Sequence, residues 1–225
     1  MITLHHLEYS QSFRILWLLE ELGAEYELKK YDRDPKSRLA PADLKALSPL
    51  GTAPVITGEN DLVLAESNAV IDYILDLHRE SHLRPEFGAP SRADYLFWFH
   101  AGNGSLMPMQ FINGILTMMT ARTPGLLRPV VKAVTGKVRE MLVHPRLKTI
   151  FDRMEEDLGR NKWLAGENLT AADISLSYSV FSAEARGAIG EERPNIRRWL
   201  QQVRELPSFQ RATDKDGRET MVFSF

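Results

Sequence analysis

The loop Glu8-Tyr9-Ser10 places two hydroxyl side chains directly before an amphipathic run from Gln11 to Leu22. A hydroxyl donor beside the positive end of a helix dipole stabilises an anion, and it does so without a metal or a cysteine. A second element lies further on, where Glu66-Ser67-Asn68 opens another helical pattern. The free N–H groups of a helix start receive a carboxylate, and an acidic side chain beside them accepts an ammonium. Taken singly, both features also fit plain capping, with Ser10 an N-cap over a solvent-exposed Ser12, Ser67 a helix-start residue and Glu66 a dipole partner. His5-His6 presents adjacent imidazoles, but neighbours on a strand point to opposite faces and do not share one ion, so no metal role is assigned.

Positioning these residues requires strands that end at the loops and helices that begin there. Ile2 to Leu7 alternates as a strand, and Ile15, Leu18, Leu19 and Leu22 then form a helical stripe that Gly23 is placed to end. Tyr26 to Tyr31 reads as a second strand, Arg33 to Ala40 as a charged loop, and Pro41 to Leu47 as a short helical piece that stops before Ser48-Pro49. Pro54 stands before the apolar pair Val55-Ile56; a proline cannot donate to a central ladder, so it belongs at a strand entrance, a position that can harbour a cis bond. Gly58 to Asp61 is a turn, Leu62-Val63-Leu64 the returning strand, and Val70, Ile71, Ile74 and Leu75 the apolar face of the following helix.

The block Pro49-Leu50-Gly51-Thr52-Ala53-Pro54-Val55-Ile56, followed by Glu66-Ser67-Asn68-Ala69-Val70-Ile71, resembles the glutathione-binding half of cytosolic glutathione S-transferases. Trp163 to Ile174 resembles their helical-domain capping motif, with Thr170 and Asp173 at capping-box spacing and Leu169 with Ile174 as the hydrophobic staple. Arg14 to Leu22 is similar to a bacterial and fungal branch of the family. The resemblance implies an α+β protein: a thioredoxin-like glutathione-binding domain over residues 1–80, a linker over 81–90, and an all-α helical-bundle domain over 91–225 lining an electrophile pocket. It also implies that Pro54 is cis, that Thr52, Ala53 and Pro54 present backbone to the cysteinyl group of glutathione, and that Glu66 and Ser67 take the γ-glutamyl end. In serine-type members the catalytic serine precedes an arginine by four positions, which is the spacing of Ser10 and Arg14. Other members use a tyrosine at the end of the first strand, so Tyr9 remains the competitor, with Ser10 favoured. Lys36 and Arg38 are candidates for the glycyl carboxylate, in a loop whose charge otherwise serves only solvation. Tyr9, Met107 and Phe111 are candidates for the electrophile pocket.

The implied chemistry is that of a thiol supplied from outside. Free glutathione has a thiol pKa of about 8.5, and only its thiolate is a competent nucleophile. The chain has no cysteine, so it performs no dithiol exchange and must bind its thiol instead. With 225 residues, 44% hydrophobic and 26% charged, it is long enough for two cores. Its 30 acidic and 28 basic residues are interspersed to a net −2, which provides no field for nucleic acid or an anionic membrane. No apolar run has the ~20 residues needed to span a bilayer, and the N-terminus lacks the pattern of a secretory signal, so cytoplasmic location is expected.

Beyond the linker, Ser91 reads as an N-cap, and Tyr95, Leu96, Phe99, Leu106, Met109, Ile112, Ile115, Leu116 and Met119 share a long helical face bent near Pro108. Further helices are expected over 129–141, 146–159 and 195–204, with a short last one over 206–212. The tail Asp214 to Phe225 either frays or folds back over a pocket. A homodimer is expected from the resemblance and from apolar residues exposed on the third and fourth helices. Two function classes stand: a transferase that activates glutathione for conjugation of an apolar electrophile or for peroxide reduction in detoxification, and a non-catalytic binding or interaction protein with the same fold.

Overall fold

The structure, a computed structural model, describes residues 1–218. Strand β1 (Ile2–Leu7) lies at the centre of a four-stranded sheet of order β2-β1-β3-β4, where β2 is Tyr26–Tyr31, β3 Val55–Thr57 and β4 Val63–Ala65. β1 runs parallel to β2 and antiparallel to β3, and β3 pairs antiparallel with β4. In the β3–β4 turn Asn60 and Asp61 take φ of 55° and 56°, left-handed values that Asn and Asp side chains tolerate.

Helix α1 (Phe13–Leu22) joins β1 to β2, and every residue from Phe13 to Glu20 is buried. A helix apolar on one stripe would leave the other side to solvent; here Phe13 and Trp17 supply a second apolar side that packs on the helical half. Both rings meet Phe209, at 5.4 and 5.3 Å, and the Trp17 indole N–H donates to Ser208 Oγ at 3.1 Å. Gly23 ends α1 at φ 61°, and the Ala24 N–H reaches back to the Leu19 carbonyl. Short α2 (Ala42–Lys45) and α3 (Ser67–Leu77) complete this half.

The helical half holds α4 (Arg92–Ala101), α5 (Met107–Arg122), α6 (Arg128–Val138), α7 (His144–Arg160), α8 (Ala171–Ala185), α9 (Pro194–Glu205) and α10 (Pro207–Asp216). The bend expected near Pro108 is a π-helical turn over Gly102–Leu106, and a second such turn over Arg139–Val143 precedes Pro145. Each proline stands at the second position after its π turn, whose shifted register takes up the N–H that the proline lacks. Pro145 therefore does not separate two helices, as its position in the sequence suggested; α6 passes into α7 without a break. α8 is capped as its motif predicts. The buried Asp173 carboxylate accepts from the Thr170 and Leu164 N–H groups, the Thr170 hydroxyl and the Trp199 indole, at 2.9 to 3.0 Å.

The long apolar face read over residues 95–119 is buried only in part. Tyr95, Phe99, Leu106 and Leu116 are in the core, whereas Leu96, Ile115 and Met119 are exposed. The C-terminal tail divides likewise: Asp214 to Asp216 continue α10, and residues 219–225 lie outside the described residues. No helix among the described residues is long and apolar enough to cross a membrane.

Candidate functional site

The edge of the sheet where β1 ends, the turn before β3 and the start of α3 carry the residues singled out above. The Ala53–Pro54 bond is cis. Glu66 precedes α3 at φ 74°, and Tyr9 sits after β1 at φ 47°, so two non-glycine residues at this edge hold left-handed backbone, a conformation that persists where the surroundings impose it. At Tyr9 the surroundings are explicit. Its carbonyl accepts from the Tyr178 hydroxyl at 3.0 Å and from the Arg33 guanidinium at 3.2 Å. Burial pushes the Tyr178 phenol above its ordinary pKa, which keeps it a donor.

Ser10 is buried just inside this turn. Its hydroxyl lies 2.8 Å from the Leu7 carbonyl and 2.7 Å from Ser12 Oγ, and its oxygen accepts the Ser12 N–H at 3.2 Å. Ser12 is fully buried rather than solvent-exposed, and it joins Ser10 to His6 Nδ1 at 2.8 Å. His5 and His6 do point to opposite faces: His5 meets Tyr31 and Thr57, and His6 meets Ser12 and, through Nε2, Asp216 at 2.7 Å.

Gln11 joins the two chemical elements. Its carbonyl oxygen accepts from the Ser67 hydroxyl at 3.2 Å and from Arg14, and its amide donates to Met107 Sδ at 2.9 Å. The loop before α1, the start of α3 and the start of α5 are thereby in contact. Arg14, a candidate for the glutathione site through its spacing from Ser10, is fully buried between the halves and donates to Asn103, the Ser175 carbonyl and Gln11. Burial pushes its guanidinium down to about 10, so it keeps its charge at neutral pH. Asn68 extends the same seam, donating to the Phe99 carbonyl and accepting from Asn103 and Ser175.

The remaining candidates are more open. Thr52, Lys36 and Arg38 are exposed, Ala53 and Met107 half-buried, and Phe111 is 69% exposed on α5. Arg33 ties their loop to the site, donating to the Glu8, Tyr9 and Arg38 carbonyls. Sequence reasoning gave Gln11 and Arg33 no role, took Ser12 as solvent-exposed and weighed His6 only as a metal ligand. Gln11 and Ser12 lay within the Ser10 to Arg14 spacing, but only the fold reveals their partners, 56 and 210 positions away for Gln11–Ser67 and His6–Asp216. Two charged surface clefts flank α7, lined by ion pairs of Arg153, Arg160 and Arg193 with Asp157 and Asp152, and none of the site residues lines them.

A four-stranded sheet with a cis-proline turn and two helix starts at one end, joined to a helical domain, is the two-domain arrangement that the glutathione-binding motifs implied. The glutathione S-transferase N-terminal domain model matches residues 10–77 and the C-terminal domain model residues 116–207. Glutathione S-transferase 3 of Schizosaccharomyces pombe is 32% identical, over 99% of this chain and 90% of its own length. Glutathione S-transferase 1 of Saccharomyces cerevisiae is 30% identical, over 96% and 95% respectively. A crystal structure of a glutathione S-transferase from Actinobacillus pleuropneumoniae, 34% identical, superposes with a TM-score of 0.75 over 96% of this chain and 93% of that one. The chain belongs to the glutathione S-transferase family.

Proposed function

We propose that this protein binds glutathione along the cis-proline turn and the start of α3 and activates its thiol at Ser10 for attack on an apolar electrophile. The observation that carries the reading is the Gln11–Ser67 hydrogen bond, which makes the loop bearing Ser10 contiguous with the helix start that suits a γ-glutamyl group. On this reading Ala53 offers its backbone to the cysteinyl unit, and Glu66 and Ser67 take the γ-glutamyl ammonium and carboxylate. Ser10 and the positive end of α1 stabilise the thiolate, each unit of pKa depression being worth about 1.4 kcal/mol. Met107, half-buried against Gln11, and exposed Phe111 supply an apolar surface for the electrophile, beside Tyr9. Lys36 and Arg38 are placed on the loop that Arg33 fastens to the site, within which they serve the glycyl carboxylate.

The division into a glutathione-binding domain over 1–80, a linker over 81–90 and a helical domain over 91–225 goes with this reading, as do a cytoplasmic location and a role in detoxification. So does a homodimer, supported by exposed Leu77 on α3 and Leu96 on α4; sedimentation should give twice the 25.6 kDa chain mass, and a monomer at micromolar concentration would contradict it. Calorimetry with glutathione, followed by turnover with a generic aryl halide, tests the function. Binding with turnover is expected; binding without turnover would favour a carrier, and no binding would refute the reading.

A further inference from the structure

Four buried polar side chains form an unbroken line from the inside of the fold to Ser10. Asp216 on α10 is 3% exposed and lies 2.7 Å from Nε2 of His6, itself 1% exposed on β1. His6 Nδ1 lies 2.8 Å from Ser12 Oγ, and Ser12 Oγ lies 2.7 Å from Ser10 Oγ. Helix α1 does not depend on this line: its N-cap residue, Ser12, makes no side-chain cap hydrogen bond, and Ser10 Oγ accepts the Ser12 N–H without the imidazole. We propose that Asp216, His6, Ser12 and Ser10 form a relay that takes the proton from the bound glutathione thiol and holds it on His6. The proposal rests on the reading above that the thiol lies at Ser10.

Donor and acceptor bookkeeping gives the relay two complete states. With His6 neutral, Nε2–H donates to Asp216 and Nδ1 accepts the Ser12 hydroxyl proton. Ser12 Oγ accepts the Leu7 N–H at 3.1 Å, and the Ser10 proton is turned inward to Ser12 Oγ or the Leu7 carbonyl. An oxygen in that state has a lone pair for an incoming S–H. Transfer then moves the thiol proton to Ser10 Oγ, the Ser10 proton to Ser12 Oγ and the Ser12 proton to His6 Nδ1. The sulfur keeps its electron pair, and one proton has passed from sulfur to imidazole. In the second state Nδ1–H donates to Ser12, Ser12 donates to Ser10 or to the Leu7 carbonyl at 3.2 Å, and the Ser10 O–H is free to donate to the thiolate. After the sulfur–carbon bond forms, the chain runs in reverse and the proton leaves through Ser10 with the departing anion.

An ion cluster centred on Asp216 faces His6 from α10 and the loop after β1. Asp216 is paired with Arg218 at 3.0 Å, and Arg218 also meets Glu8 at 3.3 Å and Asp32 at 2.6 Å. From β2, Lys30 stands beside His6 in the ladder and turns its ammonium to the Lys215 and Asp216 carbonyls. α1 contributes only the neutral Ser12, and His5 faces away toward β3 and Tyr31. Arg33 closes the cluster from the far side of Glu8, so three cations meet three carboxylates, and Asp216 is the carboxylate that holds the Nε2–H of His6 in both states. His6 acts through the two serines and is a positioning residue that also stores the proton.

The test mixes wild-type protein with glutathione in weakly buffered solution near neutral pH, reading thiolate by ultraviolet absorbance and released protons by a pH indicator. Thiolate should appear with far less than one proton released, and the nitrogen-15 signals of His6 should move to imidazolium positions with glutathione but not with S-methylglutathione. His6→Gln should release the proton in full and lose about 100-fold in kcat/KM at neutral pH, recovering as pH rises. Asp216→Asn should fall between the two. Stoichiometric proton release by the wild type with unmoved His6 signals would overturn the relay while leaving the function intact. Absence of binding heat with glutathione would overturn both.

Discussion

Replacing Arg14 by methionine separates the role its spacing implies from the role its surroundings give it. The guanidinium is fully buried and donates to Asn103 Oδ1 at 3.1 Å, to the Ser175 carbonyl and to Gln11. Methionine keeps most of the volume, so the cavity contribution is small. The change removes a charged donor from three acceptors, of which Gln11 keeps the Ser67 hydroxyl and the Ser175 carbonyl stays within α8, each loss costing roughly 1 to 3 kcal/mol, while removing the cost of burying a charge offsets part of it. The expected net destabilisation is about 2 to 4 kcal/mol, seen in urea unfolding followed by tryptophan fluorescence. Because Arg14 stays charged until pH approaches about 10, the difference between variant and wild type should be flat across the neutral range. Glutathione affinity should change less than about threefold, or roughly 0.7 kcal/mol. An unchanged unfolding midpoint with a large loss of affinity would refute the strut and make Arg14 a ligand.

Replacing Glu66 and Ser67 together by alanine should weaken glutathione binding by roughly 2 to 4 kcal/mol in calorimetry, since two charge-related partners at a helix start are lost; unchanged affinity would place the site elsewhere. Asp173→Ala should destabilise the helical half by about 3 to 5 kcal/mol, as four buried donors lose their acceptor, with glutathione affinity unaffected in whatever protein remains folded. Glu20 supplies a pH dependence. Burial pushes its carboxyl up, but hydrogen bonds from Lys215, Tyr26 and Arg211 outweigh this and hold it below its ordinary 4.5. A depressed folded value means stability present at neutral pH and lost as pH falls below that figure, so acid should loosen α10 from α1, and Glu20→Gln should flatten this limb of the unfolding curve.

Much of the architecture was legible because its signals are local. The period of β1 and α1, the stop at Gly23, the turn at Asn60-Asp61 and the capping box at Thr170 each need only neighbouring residues, and the structure has them all. Pro54 before a strand was legible as a candidate cis bond for the same reason. What was not legible depends on distant partners. Nothing near Arg14 announces that Asn103 and Ser175 will enclose it, and nothing near His6 announces Asp216. The passage from α6 to α7 was misread because a proline looks like a break until a π-helical turn absorbs it. The apolar stripe of α5 misled in a different way, since periodicity shows which residues share a face but not whether that face is covered.

The claim at the centre of this account is that Ser10 holds the glutathione thiolate. Its most direct test is a titration of the bound thiol by thiolate absorbance in the wild type, Ser10→Ala and Tyr9→Phe. The account predicts a wild-type pKa below the free value of about 8.5, a rise of about one to two units in Ser10→Ala with binding nearly intact, and no rise in Tyr9→Phe. A pKa unmoved in Ser10→Ala but raised in Tyr9→Phe would contradict it and transfer the role to Tyr9; a pKa unmoved in both would leave the α1 dipole and backbone amides as the only activators.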